Sequence, residues 1–225
     1  MDSLDYVIES IDRITASDYI PTPEDLILNR IQTTGMTDMR MDYGGVKLRL
    51  MDMGGRRSER RKWLHSPDEN ADIVVFIVAI SEYNQTIFET PDMNCISESL
   101  SYFQMVLNHR IFRRIPLILF FNKMDLFEKK IFEVPLHVVD ETGEDTRNED
   151  FEGPYAEDAP SINEKETAIN AAKTYMARKF LDLCETERVL LHCFVTATEI
   201  QSVRAAIHRV AEPPRQRQYP IENFI

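Results

Sequence analysis

The chain has 225 residues, 43% of them apolar, and a formal net charge of −12 from 26 basic and 38 acidic side chains. Such a chain can bury one sizeable core, while its acidic average argues against a nucleic-acid surface, which needs clustered Lys and Arg. The three cysteines, Cys95, Cys184 and Cys193, are odd in number and widely spaced, which excludes a disulfide framework or CxxC zinc site and fits a reducing compartment.

Met1-Asp2-Ser3 opens no cationic, apolar leader, and Asp2 stands where myristoylation needs glycine. Leu4, Val7, Ile8, Ile11 and Ile14 then recur at helical spacing, which predicts a helix over 2–15 and a loop from Ser17 or Asp18. Thr22 is the cap candidate of a second helix, with Pro23 in its first turn. Together they make a helical pair too small to fold alone.

Met36 to Tyr43 and Val46 to Met51 flank Gly44-Gly45, and Val46, Leu48 and Leu50 alternate with Lys47 and Arg49, which predicts a β-hairpin. Ile73 to Ile80 and Ile115 to Phe121 are instead continuous apolar runs, as expected of parallel strands covered on both faces. The longest run, Ala71 to Ile80 broken by Asp72, falls well short of the roughly 18 to 20 residues of a spanning helix, so no transmembrane segment is expected.

Helices are expected over Ile96 to Leu107, over Glu164 to Leu183 with Ala171, Tyr175 and Phe180 on one side, and over Glu199 to Val210 after a strand from Val189 to Val195. Strands alternating with helices imply a mixed, mainly parallel α/β sheet. Asp140 to Glu166 holds 11 acidic residues against Arg147 and Lys165, so it carries −9 of the −12 and reads as a solvated, disordered insertion. Pro213 onward reads as an exposed tail.

Two clusters carry chemistry. Asn122-Lys123-Met124-Asp125 follows a buried strand, at the end where open α/β sheets bind ligands. There Asn122 can bond the Hoogsteen edge of guanine, and Asp125 can accept from its ring N–H and exocyclic amine, a pairing adenine does not offer. A surface Asn-Lys turn is the plain alternative. Asp52-Met53-Gly54-Gly55 follows the second hairpin strand. Here a carboxylate can hold a Mg²⁺ water and a glycine N–H can approach a terminal phosphate, unless this is only a glycine turn.

The run Asp52-Met53-Gly54-Gly55-Arg56-Arg57-Ser58-Glu59-Arg60-Arg61-Lys62-Trp63 closely resembles switch II of heterotrimeric G protein alpha subunits. Asn29-Arg30-Ile31-Gln32-Thr33-Thr34-Gly35 is similar to the family's switch I. Further likeness runs through Asp12-Arg13-Ile14, Tyr19-Ile20-Pro21-Thr22, Asn94, Glu98-Ser99, Asn122 to Phe127 and Thr196-Ala197-Thr198, nearly the whole chain. The resemblance implies a Ras-like, P-loop NTPase-type α/β fold over 27–212, a helical-domain remnant over 1–26 and a tail over 213–225.

It also implies a GTP- or GDP-binding signal transducer whose family reaction is Mg²⁺-assisted GTP hydrolysis in receptor signalling. Arg30 matches the cis arginine finger, Thr33 and Asp52 the magnesium ligands, and Gly55 the γ-phosphate contact. Ser3, Ile27, Leu28, Asn29, Arg30, Thr33, Asp52, Gly55, Asn122, Lys123, Asp125 and Ala197 match the nucleotide-binding set, with the Ala197 N–H directed at guanine O6. Gly55, Arg60 and Glu98 match a trio that locks the activated switches together. A βγ-type dimer would dock on Arg60, Arg61, Lys62 and Trp63. A receptor and an effector are further family partners, and the implied location is the cytoplasm, at the inner face of the plasma membrane through partners.

The sequence also departs from the family. No G-x-x-x-x-G-K-[ST] occurs among its seven glycines, so the phosphate cradle is missing and an amino-terminally truncated alpha subunit, lacking the first strand, is expected. Arg56 takes the catalytic position of the family's water-orienting glutamine. A guanidinium donates five hydrogens and accepts none, so hydrolysis should be slow, although the same group could also stabilise transition-state charge. Pro213-Pro214 and the ending Tyr219 to Ile225 do not match the family's receptor-selecting pattern. A pseudo-GTPase serving as an interaction module for βγ-like partners, and an unrelated α/β domain, are the alternative readings.

Overall fold

The structure is a computed structural model that describes residues 4–29, 31–65, 71–87, 90–112, 115–134, 136, 162–184 and 189–211. By its internal contacts the chain divides into two units, Met1–Ser66 and Pro67–Ile225.

The first unit opens with α1 (Leu4–Glu9) and α2 (Ile11–Ile14) in place of one unbroken helix. Ser10 breaks it: at φ −97° and ψ 7° it leaves helical geometry, and its hydroxyl supplies no cap bond. The apolar stripe that suggested the helix stays open, with Leu4, Val7, Ile8 and Ile11 all exposed. α3 (Pro23–Leu28) starts as expected, with Pro in its first turn. Thr22 Oγ1 accepts the Asp25 N–H and the Asp25 carboxylate accepts the Thr22 N–H, a reciprocal capping box.

Asp25 is also what draws the three short helices together. Its carboxylate, 9% exposed, accepts hydrogens from the Tyr6 hydroxyl, from both terminal nitrogens of Arg13, and from the backbone and hydroxyl of Thr22, at 2.7 to 2.9 Å. Arg13 also lies over the Tyr19 ring, 5.9 Å from its centroid.

β1 (Met36–Tyr43) and β2 (Val46–Met53) form the predicted antiparallel hairpin, in register from Met36↔Met53 to Tyr43↔Val46. Gly44 and Gly45 make the turn at φ +60° and +84°, conformations that a Cβ disfavours. A short helix α4 (Arg57–Arg60) and a 3₁₀ turn (Arg61–His65) follow.

In the second unit β3 (Val74–Ala79), the short antiparallel pair β4 (Thr86–Ile87) and β5 (Thr90–Asn94), α5 (Cys95–Asn108), β6 (Leu117–Asn122), α6 (Met124–Lys130), α7 (Ile162–Leu181), β7 (Val189–Phe194) and α8 (Ile200–Ala211) follow in order. β3, β6 and β7 make a parallel sheet in the order β3-β6-β7. Phe121 of β6 meets Phe180 of α7 edge to face at 5.6 Å, and Phe180 meets Phe103 of α5 at 5.6 Å. The opposite face packs Ile118, Leu191, Cys193 and Val195 against Ala206 of α8. The mixed α/β fold with a parallel sheet is therefore as expected.

Two details differ. β6, flanked by β3 and β7, is buried or half-buried along its length, whereas Val75 and Ile77 of β3 are 38% and 61% exposed. On α7 the buried residues are Ala172, Tyr175, Met176, Ala177 and Phe180, while Ala171, one position round the helix, is exposed. α7 takes in the end of the acidic stretch from Ile162, and both the rest of that stretch and the tail lie outside the described residues. Among the described residues, no helix is long and apolar enough to cross a membrane.

Candidate functional site

In the second unit, the ends of β6 and β7 bring together residues far apart in sequence. β6 ends at Asn122, and Lys123 then turns the chain with φ +64° and ψ 42°, the left-handed region a lysine rarely adopts. That turn starts α6, with Asp125 half-buried in its first turn. The Met124 N–H donates to Val195 O at 3.2 Å, and the Val195 N–H to Phe121 O at 2.8 Å, which locks the two strand ends to each other.

The loop after β7 closes over this point. The Ala197 N–H donates to Asn122 Oδ1 at 3.0 Å, and the Thr196 N–H to Ser202 Oγ at 2.9 Å. Lys123 pairs through Nζ with Glu82, in the 3₁₀ turn Ile80–Glu82 after β3. Lys130 donates to Ser81 O and Asn84 Oδ1. Asn122, Lys123, Asp125 and Ala197 are thus grouped at one end of the sheet. Glu82 has no signal in the sequence, because its pairing depends on β3 and β6 lying side by side.

In the first unit the second cluster also takes shape. Asp52 is exposed opposite Thr37 near the open end of the hairpin, and Thr33 is half-buried. The Gly54 N–H donates to Gly35 O at 3.0 Å, extending the ladder beyond Met36↔Met53. Gly54 is glycine for a steric reason: a Cβ there would come within 2.7 Å of Thr33 O and 2.8 Å of Glu59 Cγ. Gly55 differs, since it is exposed and a Cβ on it would meet nothing. Packing among the described residues does not require that glycine.

The α4 turn arranges the charged run that follows. Glu59 Oε2 accepts from the Gly35 N–H at 2.7 Å and from Lys62 Nζ at 2.6 Å, and the Lys62 ammonium, then the Gly35 amide, hold its carboxyl below the usual range. Arg60 Nε donates to Gly55 O at 2.6 Å and Trp63 Nε1 to Gly54 O at 3.0 Å. Arg56, Arg61 and Lys62 are exposed. Of the other expected residues, Ile27 and Asn29 are exposed and Leu28 is half-buried at the end of α3, while Ser3 and Arg30 lie outside the described residues. Glu98 belongs to the second unit, 7% exposed in the first turn of α5, where Asn94 caps the helix.

The donor chemistry allows a test of fit. Among the described residues no three His, Cys, Asp or Glu side chains converge, so no all-protein metal cage is present there. Thr33 and Asp52 offer a hydroxyl and a carboxylate, the oxygen pair that suits Mg²⁺ when waters and phosphate complete its shell. At the ends of β6 and β7 Asn122, Asp125 and the Ala197 amide offer hydrogen-bonding groups side by side, and the phosphate-cradling motif does not occur in these residues.

Comparison with known proteins gives the same direction. A family model described as "G-protein alpha subunit" matches residues 1–213. A guanine nucleotide-binding protein subunit alpha of Emericella nidulans is 35% identical over 215 residues, 93% of this chain and 54% of that protein. One from Cochliobolus heterostrophus is 36% identical with the same coverage. The guanine nucleotide-binding protein alpha-1 subunit of Mycosarcoma maydis is 32% identical over 213 residues, again 93% and 54%. The chain spans about half the length of these curated relatives.

Proposed function

The chain belongs to the G-protein alpha subunit family, and from that premise we propose that it is a guanine-nucleotide-binding signal transducer in which the ends of β6 and β7 read the base. The observation that carries this reading is the Asn122–Ala197 hydrogen bond, which holds two loops 75 residues apart beside Asp125. Asn122 and Asp125 would select guanine, and the Ala197 N–H would pass from Asn122 to the base oxygen. Lys123 would flank the base, its ammonium fixed by Glu82.

On the phosphate side, Gly55 would offer its N–H to the γ-phosphate, which its open surroundings permit. Thr33 and Asp52 would hold Mg²⁺, which when bound would neutralise phosphate charge. Arg30 would clamp the transition state. Arg56 in place of an amide leaves the attacking water without an acceptor to orient it, so turnover would be slow. The family's partners would be a βγ-type dimer at Arg60, Arg61, Lys62 and Trp63, together with a receptor and an effector at the inner face of the plasma membrane.

A second reading is favoured by one observation, the exposure of Arg61 and Lys62: a pseudo-GTPase that uses the same basic surface as an interaction module. Binding of a fluorescent GTP analogue with Mg²⁺ decides between them. Micromolar or tighter binding by the 225-residue chain removes the pseudo-GTPase. No binding, by this chain or by one extended upstream, removes the transducer reading. Raised turnover in Arg56→Gln would support the water-orienting argument.

A further inference from the structure

The proposed roles of Thr33, Asp52 and Gly55 leave open what keeps their two segments together. Thr33 follows α3 and Gly55 follows β2, so the hairpin ladder holds them only at its open end, through Met36↔Met53 and the Gly54–Gly35 bond. A side chain adds a further tie between the same segments.

Glu59 is delivered by the α4 turn, its own N–H bonded to Arg56 O at 2.8 Å. Its side chain is 12% exposed, and one oxygen, Oε2, accepts both the Gly35 amide and the Lys62 ammonium. A carboxylate shared by a backbone amide and a cation makes strong, charge-assisted bonds. Its methylenes lie where Gly54 has no side chain, close to the Thr33 carbonyl. Trp63 closes the far side by donating to Gly54 O.

We propose that Glu59 is a positioning residue, a latch that fastens Thr33–Gly35 to Gly54–Trp63 so that metal-side and phosphate-side ligands move as one body. It touches neither ligand. The proposal rests on the nucleotide reading for what those segments bind, but the latch is a contact within the chain and is readable without nucleotide.

Trp63 is the sole tryptophan, and the Gly35 amide is itself one half of the latch. In the 225-residue chain without nucleotide, Glu59→Ala is expected to speed hydrogen exchange at the Gly35 amide at least about tenfold and to raise acrylamide quenching of Trp63. Exchange at the Gly45 amide, held by Asp42, should not move. Glu59→Gln, close to isosteric, should give an intermediate effect and serves if the alanine variant does not fold. Unchanged Gly35 exchange and Trp63 quenching in a folded variant would overturn the latch.

Where the wild-type chain binds nucleotide, Glu59→Ala should weaken a Mg²⁺–GTP analogue about tenfold more than GDP, since only the triphosphate needs both segments. Equal weakening of both would overturn the positioning role. If the wild type binds neither, the nucleotide reading fails, and the exchange and quenching results alone decide the latch.

Discussion

Asn122 Oδ1 accepts the Ala197 amide hydrogen at 3.0 Å, so the backbone donor proposed to meet the base is satisfied by the protein itself. Guanine would exchange this bond for its own, with little change in the number of bonds made. Discrimination between bases would then fall mainly to groups that gain partners only on binding, with Asp125 foremost among those proposed.

Asp125→Asn is expected to lower affinity for GDP about 10- to 100-fold, the roughly 1.5 to 3 kcal/mol of a hydrogen bond to a charged group. An amide also donates, so xanthosine diphosphate, with an oxygen where guanine has its amine, should gain relative to GDP. Competition of both against a fluorescent GDP analogue measures the change. Undiminished guanine preference would remove Asp125 from the site.

The adjacent glycines should separate stability from binding. Gly54→Ala places a methyl 2.7 Å from Thr33 O, and about 1 to 3 kcal/mol of destabilisation is expected from such overpacking. Gly55→Ala meets nothing within 4 Å, so its stability should stay within about 0.5 kcal/mol of wild type. Its cost should appear instead as weaker GTP-analogue binding with GDP little affected. Urea unfolding followed at Trp63, beside the binding assay, tests both.

Acid should act in two windows. Burial depresses His192, whose ring lies 6.2 Å from Phe121 and 6.1 Å from Phe194 between centroids. The unfolded chain takes up that proton more readily, so stability falls as pH drops below about 6.5 and keeps falling until the depressed folded value is passed. His192→Leu should flatten this window. Asp25 is held well below the carboxylate range by Arg13 first, then by the Thr22 amide and the Tyr6 hydroxyl. Its contribution is full above about 4 and lost as pH falls from there toward the folded value, and Asp25→Asn should flatten that lower window only. Melting curves between about pH 3 and pH 8, which cover the first window and the upper part of the second, check both.

Phe180 is fully buried and touches both Phe103 and Phe121 edge to face. Phe180→Ala should cost about 3 to 5 kcal/mol, the usual loss for a buried aromatic. Far-UV circular dichroism melts should show the loss. A cost below about 1 kcal/mol would mean that α7 does not pack on the sheet as described.

Features set by neighbouring residues were legible in the sequence. Gly44-Gly45 between alternating strands predicts the hairpin, and Thr22-Pro23 predicts the start of α3, because each is local backbone chemistry. The apolar runs give β3 and β6, although periodicity could not say that Ile77 stays exposed, since that depends on which strand is central. Ala171 in place of Ala172 is a one-residue error in helical phase. Asn122 and Asp125 were legible as a motif. Glu59 and Glu82 were not, because a carboxylate's partner is chosen by how distant segments approach, and no spacing records that.

The Asp25 carboxylate sets an unequal pattern of tolerance in the first unit. Five hydrogen bonds converge on two oxygens, so loss of any one donor leaves the rest in place and free to tighten. Tyr6, Arg13 and Thr22 are each dispensable to a degree that their common acceptor is not. Variation along this stretch should therefore be permissive at the donors and unforgiving at a single position, and the effects of paired donor changes should fall short of, or exceed, the sum of their separate effects.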